Sequence, residues 1–144
     1  MAKKKQKTAY TSKPKSRQTK IKPEHEQEIT GHENHKPAWR LERVDIEHSQ
    51  WGWKRLNADQ TFSILDKLKE YESRTWNEIT SNSKRDHSVS VENLDKRAKK
   101  RLLELKYDDF DSLFRLRFSG KQRLWGIKES FVFKILWWNE DHTV

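Results

Sequence analysis

The sequence predicts an α+β domain, two helices packed on a small antiparallel sheet, preceded by a disordered basic tail. Three observations lead there. The composition changes at residue 38, where the aromatics begin. Two segments in the middle of the chain repeat their apolar residues with a helical period. In the last third the period shortens to two, the signature of strands.

The tail is residues 1–37. Residues 1–22 carry nine bases (Lys3, Lys4, Lys5, Lys7, Lys13, Lys15, Arg17, Lys20 and Lys22) and no acid. The chain holds 31 Lys+Arg and 22 Asp+Glu. Setting those nine aside leaves 22 bases against 22 acids, so the formal excess of +9 belongs to the tail. Tyr10 is its only aromatic, and Pro14, Pro23 and Pro37 are the only prolines in the chain. Such a segment buries too little apolar surface to offset the entropy of ordering it. It reads either as an arm that gains affinity for nucleic acid by releasing counterions, or as a solubilising extension.

From Ala38 onward the chain holds all seven tryptophans and all six phenylalanines, enough for one modest core. Trp39–Ile46 reads as a first strand. Trp39 and Leu41 share one parity and Val44 and Ile46 the other, which a bulge or break near Glu42–Arg43 would reconcile. Ala58–Ile79 reads as a helix with Phe62, Leu65, Leu68, Trp76 and Ile79 on its apolar face. Asn57 is its expected cap, with Gln60 completing a capping box. Thr80–Asp86 is a polar turn or loop. Val91–Lys106 reads as a second helix, with Leu94, Ala98, Leu102 and Leu105 in its stripe and Ser90 as expected N-cap. The strands follow: Leu113–Phe118, Arg123–Ile127 and Phe131–Trp138. The last is apolar nearly throughout, as expected of a central strand covered on both faces.

Several function classes drop out. There is no cysteine, which excludes disulfides, thiolate nucleophiles and Cys-ligated zinc. No apolar run approaches the ~20 residues of a spanning helix. No apolar segment follows Met1-Ala2-Lys3-Lys4-Lys5, so the expectation is a soluble cytoplasmic protein with no membrane partner. His25, His32 and His35 lie in the tail, His48 and His87 have no partner at metal-ligand spacing, and no metal site or cofactor is expected. With four glycines, there is no phosphate-binding glycine loop.

What remains is a charge asymmetry. Residues 112–128 hold five bases and no acid. If Phe118 pairs with Gln122 around a three-residue loop, Arg117 faces Arg123 and Arg115 faces Trp125 on one sheet face. Like charges opposed across strands are destabilising, so an anionic ligand is expected to offset them. Arginine suits phosphate because its planar fork donates two parallel hydrogen bonds. Trp125 would stack on a base and Lys121 would add charge. The competing reading is an exposed strand whose arginines pair with Glu42, Glu104 or Asp108–Asp111. On the second helix, Lys96, Arg97, Lys99, Lys100 and Arg101 read either as a phosphate-contacting face or as a solvated back. His142, just after the last strand, is a candidate general acid or base, or a solvated terminal residue. Cleavage of RNA by its own 2′-hydroxyl needs a base, cations and an acid, and arginines with one histidine or carboxylate could supply them without a metal.

The run Phe114-Arg115-Leu116-Arg117-Phe118-Ser119-Gly120-Lys121-Gln122-Arg123-Leu124-Trp125-Gly126-Ile127, then an apolar strand, then His142, resembles the C-terminal half of the RelE/ParE-like toxins of bacterial toxin–antitoxin systems. The resemblance implies two helices ahead of a bent antiparallel sheet. It implies metal-independent cleavage of mRNA, ribosome-associated or free, held in check by an antitoxin protein. Carried over by position, Arg123 would contact the scissile phosphate, Arg115 and Arg117 would be the basic residues of the preceding strand, and His142 would be the C-terminal histidine of some members. The gyrase-directed branch shares the fold without the nuclease chemistry. Two other functions stay open: a non-catalytic RNA- or ribosome-binding module using the tail and the basic helix, and a catalytically silent relative acting only through a protein partner.

Overall fold

Five strands form one sheet in the order β1-β5-β4-β3-β2. They are β1 (Ala38–Arg40), β2 (His87–Ser90), β3 (Ser112–Arg117), β4 (Arg123–Glu129) and β5 (Val132–Asn139). The helices are α1 (Ala58–Glu72), α2 (Trp76–Thr80) and α3 (Lys96–Glu104). The computed structural model describes residues 31–81 and 87–144. The first thirty residues of the expected tail, and most of the loop expected at 80–86, lie outside the described residues. Residues 36–144 make one unit. His32–Asn34, in the segment expected to be disordered, forms a 3-10 turn.

The class is α+β, with two corrections to the expected layout. The sheet is mixed: β1 runs parallel to β5, pairing Trp39 with Phe133, while every other pair is antiparallel. The helices lie on both faces. Ile64, Leu68 and Tyr71 of α1 and Trp76 and Ile79 of α2 pack on Phe114, Leu116, Phe118, Leu124, Phe133, Ile135 and Trp138. On the other face Leu94, Ala98 and Leu102 pack on Leu113, Trp125, Ile127, Leu136 and Trp137. Period-two alternation in β3 sends successive side chains to opposite cores.

The expected single helix at 58–79 is two. The Asn57 capping box is present, with Gln60 N donating to Asn57 Oδ1 at 2.8 Å and Asn57 N to Gln60 Oε1 at 2.9 Å. The helix stops after Glu72. A second capping box restarts it, Glu78 N donating to Thr75 Oγ1 at 3.2 Å and Thr75 N to Glu78 Oε1 at 2.9 Å. The interruption resets the phase of the apolar stripe. Ile64, Leu68 and Tyr71, at helical spacing, face the sheet, whereas Phe62 and Leu65 are exposed. The second helix is also shorter than expected. Val91–Asn93 is a 3-10 turn, and Asp95 caps α3 by accepting from Arg97 N at 2.8 Å; Ser90 makes no side-chain cap bond.

The first strand ends at Arg40, and the chain turns at Leu41–Val44, the expected break. Asp45 N then donates to Leu136 O at 3.0 Å. That carbonyl is available because β5 carries a bulge. Trp125 pairs with Trp137 and Gly126 with Ile135, which skips Leu136 and turns Leu136 and Trp137 to the same core. A Cβ on Gly126 would stand 2.6 Å from the Phe133 ring and closer still to Lys134 O, so only glycine fits there.

Candidate functional site

The β3–β4 hairpin closes as its spacing predicts. Phe118 N donates to Gln122 O at 3.0 Å and Gln122 N to Ser119 O at 2.7 Å, with Gly120 at φ 50° between them. Arg117 therefore pairs with Arg123 and Arg115 with Trp125. Two rows of side chains cross one face of the sheet. The first runs His87, Arg115, Trp125, Trp137, because β2 pairs His87 with Arg115 and β5 pairs Trp137 with Trp125. The second runs Arg117, Arg123, Asn139.

Asn139 is fully buried and organises the C-terminus. Its Oδ1 accepts from Thr143 N at 2.8 Å and Val144 N at 3.3 Å, and its Nδ2 donates to Thr143 Oγ1 at 3.0 Å and Asp141 Oδ1 at 3.2 Å. Trp51 Nε1 donates to the same Thr143 hydroxyl at 3.1 Å, and Asp95 N, at the start of α3, donates to Val144 O at 3.1 Å. The segment Glu140–Val144 is a hook, with His142 at its bend in the left-handed conformation, φ 62°.

The hook brings His142 over the first row. Arg115 Nη1 lies 3.1 Å from His142 Nε2. A guanidinium only donates, so Nε2 must offer its lone pair, which makes His142 neutral with its proton on Nδ1. Partial burial lowers the pKa of His142, and the positive charges of Arg123, Arg115 and Lys121 lower it further. The other fork of Arg115 meets His87: Nη2 lies 3.2 Å from Nδ1 and 3.1 Å from Nε2. A nitrogen equidistant from both is aligned on neither lone pair, so this is a contact with the ring between them. One guanidinium thus bridges two imidazoles.

The other predicted residues divide. Arg123 is 7% exposed, and its Nη1 donates to Gly120 O at 2.7 Å and Gln122 O at 2.9 Å. It holds the turn as well as adding charge, so its removal also loosens the hairpin. Trp125 is 2% exposed, with the Arg115 guanidinium 6.0 Å from its ring centre. It cannot offer a face to a base; α3 and β5 cover it, and it serves as the floor beneath Arg115. Lys121 is exposed at the turn. On α3, Lys96, Lys99 and Lys100 are exposed. Arg97 is held by Asp95, Nε to Oδ1 at 2.8 Å, and by Gln50. Arg101 grips Asp45 and Glu104 and so has a structural task in place of phosphate contact.

The residue that sequence reasoning missed is His87. Sequence spacing gives it no metal partner, and β2 has no signal of its own: four residues, His-Ser-Val-Ser, are too few for a readable period. Its place follows only from pairing with β3. Among the described residues no group of three or more His, Cys, Asp or Glu could hold a metal ion, and no helix is long and apolar enough to cross a membrane. Comparison of the chain with protein-family models, curated proteins and solved structures finds no match.

Proposed function

We propose that this protein is a metal-independent endoribonuclease of the RelE-like toxin type, cleaving mRNA free or on the ribosome and neutralised by an antitoxin. The observation that carries the reading is the contact of Arg115 with His142, on a sheet face that also sets Arg117 opposite Arg123. A neutral imidazole beside clustered guanidinium groups is what transesterification of RNA requires: a base with an open lone pair, and fixed positive charge where the phosphorane gathers negative charge. When a phosphodiester enters, Arg115 and Arg117 turn their forks to its oxygens and His142 Nε2 is released. That nitrogen takes the 2′-hydroxyl proton, the 2′ oxygen attacks phosphorus, and the 5′ oxygen departs, leaving a 2′,3′-cyclic phosphate. The resemblance of residues 114–142 to the toxin hairpin and strand supports the same reading.

The test is incubation of the purified chain with labelled RNA, and with mRNA on programmed ribosomes, in the presence of EDTA. Products ending in a cyclic phosphate and a 5′-hydroxyl are expected, with losses of at least about 10²-fold for His142→Ala and Arg115→Ala. Intact RNA under both conditions would refute the proposal.

A second reading, a non-catalytic RNA- or ribosome-binding module, is favoured by exposed Lys96, Lys99 and Lys100 on α3. Deleting residues 1–22 separates the two. Under the second reading it abolishes binding and flattens its salt dependence; under the first, cleavage persists.

A further inference from the structure

Cleavage by the 2′-hydroxyl needs a proton for the departing 5′ oxygen as well as a base for the nucleophile. His142 supplies only the second. Among the described residues, the two carboxylates of the hook already accept hydrogen bonds. Asp141 Oδ1 accepts from Asn139 Nδ2 and, at 3.0 Å, from Thr143 Oγ1. Glu140 accepts from Trp138 Nε1 at 2.8 Å and Gln122 Nε2 at 2.6 Å, and it lines a cavity of about 460 Å³ with α1 residues such as Ile64. That cavity lies on the sheet face opposite the arginine rows.

Among the described residues, His87 is the other proton carrier at the site. It stands directly across from Arg115 on the edge strand, half-buried, on the same face as the arginine rows. Both imidazoles touch the same guanidinium, His142 at Nη1 and His87 at Nη2. They therefore flank the group that would hold the phosphate, one at each terminal nitrogen of its fork. In-line displacement has that requirement, because the attacking and leaving oxygens lie on opposite sides of phosphorus. Resting on the ribonuclease reading of this site, we infer that His87 is its general acid and forms with His142 a two-histidine pair divided by Arg115.

The protons balance. His142 Nε2 gains one from the 2′-hydroxyl as the 2′ O–P bond forms. His87, entering protonated, gives one to the 5′ oxygen as the P–O5′ bond breaks. The products are a 2′,3′-cyclic phosphate and a 5′-hydroxyl, and solvent exchange restores both imidazoles. Among the described residues, the charged groups around the pair are Arg115 and Arg117 on β3, Arg123 on β4, Lys121 in the turn and Asp141 on the hook.

The experiment pairs two substrates. RNA departs through an alkoxide that needs a proton, whereas uridine 3′-(4-nitrophenyl phosphate) departs as a phenolate that does not. His87→Ala is expected to lose about 10²-fold or more in kcat/KM on RNA and to keep nearly wild-type rates on the nitrophenyl ester. His142→Ala should fail on both. In the unaltered protein, the alkaline limb of the pH–rate profile should be present with RNA and absent with the nitrophenyl ester, which needs no variant to fold. Equal losses of His87→Ala on both substrates, full activity on RNA, or an alkaline limb common to both would overturn the role of His87 alone. Absence of RNA cleavage by the wild-type protein would remove the ribonuclease reading and this inference with it.

Discussion

Arg117 and Arg123 stand directly opposite each other on neighbouring antiparallel strands. Opposed like charges cost stability that a bound anion restores. Inorganic phosphate is therefore expected to raise the Tm of the wild-type protein in a concentration-dependent way, by the linkage of binding to folding. Arg117→Gln should lose most of that shift. Differential scanning fluorimetry across a phosphate series checks it, and an equal shift in the variant would argue against an anion at this row.

The neutral state of His142 sets a pH dependence. Its folded pKa lies below the ordinary value of 6.5, through partial burial and then through Arg123, Arg115 and Lys121. Because the fold favours the unprotonated form, the stabilising contribution is complete above pH 6.5 and is lost as pH falls through the depressed value. The acid limb of kcat/KM, which reports the free protein, should accordingly lie below 6.5. Replacing Arg115 by Gln should move it upward. An NMR titration of the His142 ring gives the same quantity directly, and an acid limb at or above 6.5 in the wild type contradicts the arrangement.

Asp45 and Arg101 hold α3 to the sheet. Arg101 donates from Nε and Nη2 to the two carboxylate oxygens, both at 2.8 Å, and Trp137 Nε1 adds a third bond at 2.8 Å. Burial raises the pKa of Asp45, but the bonds from Arg101 and Trp137 outweigh it and hold it below the usual carboxylate value. Asp45→Ala leaves a part-buried guanidinium with Glu104 alone and an unpartnered Trp137 Nε1, and should destabilise the protein by about 3 kcal/mol in urea unfolding. The acid arm of the stability curve should also be steeper in the wild type than in the variant, since this carboxylate contributes above its unfolded pKa and ceases to as pH falls through its folded one.

Asn139→Ala should release the hook. Four hydrogen bonds end on this buried amide. A loss of about 2 kcal/mol is expected, together with a fall in kcat greater than any change in KM, since His142 leaves its place while the arginines stay. Unchanged cleavage by a folded Asn139→Ala protein would separate the hook from catalysis.

Whatever depends on neighbours along the chain was legible in one dimension. The hairpin register followed from a three-residue loop and strict alternation, and it put Arg117 against Arg123 as read. The Asn57–Gln60 box likewise needed only local geometry. Thr75-x-x-Glu78 is an equally local signal, but the continuing apolar period masks it and points Phe62 and Leu65 to the core, whereas the break in the helix leaves both exposed. Tertiary structure decided the rest, because burial and pairing depend on which segments meet. Trp125 could be a surface platform until α3 covered its face. Arg101 could be a phosphate ligand until Asp45, 56 residues earlier, reached it. His87 had no role until an edge strand of four residues set it across from Arg115. A one-dimensional pattern reports which way a side chain points along its own element, while the partner that takes up its charge or covers its ring comes from another element.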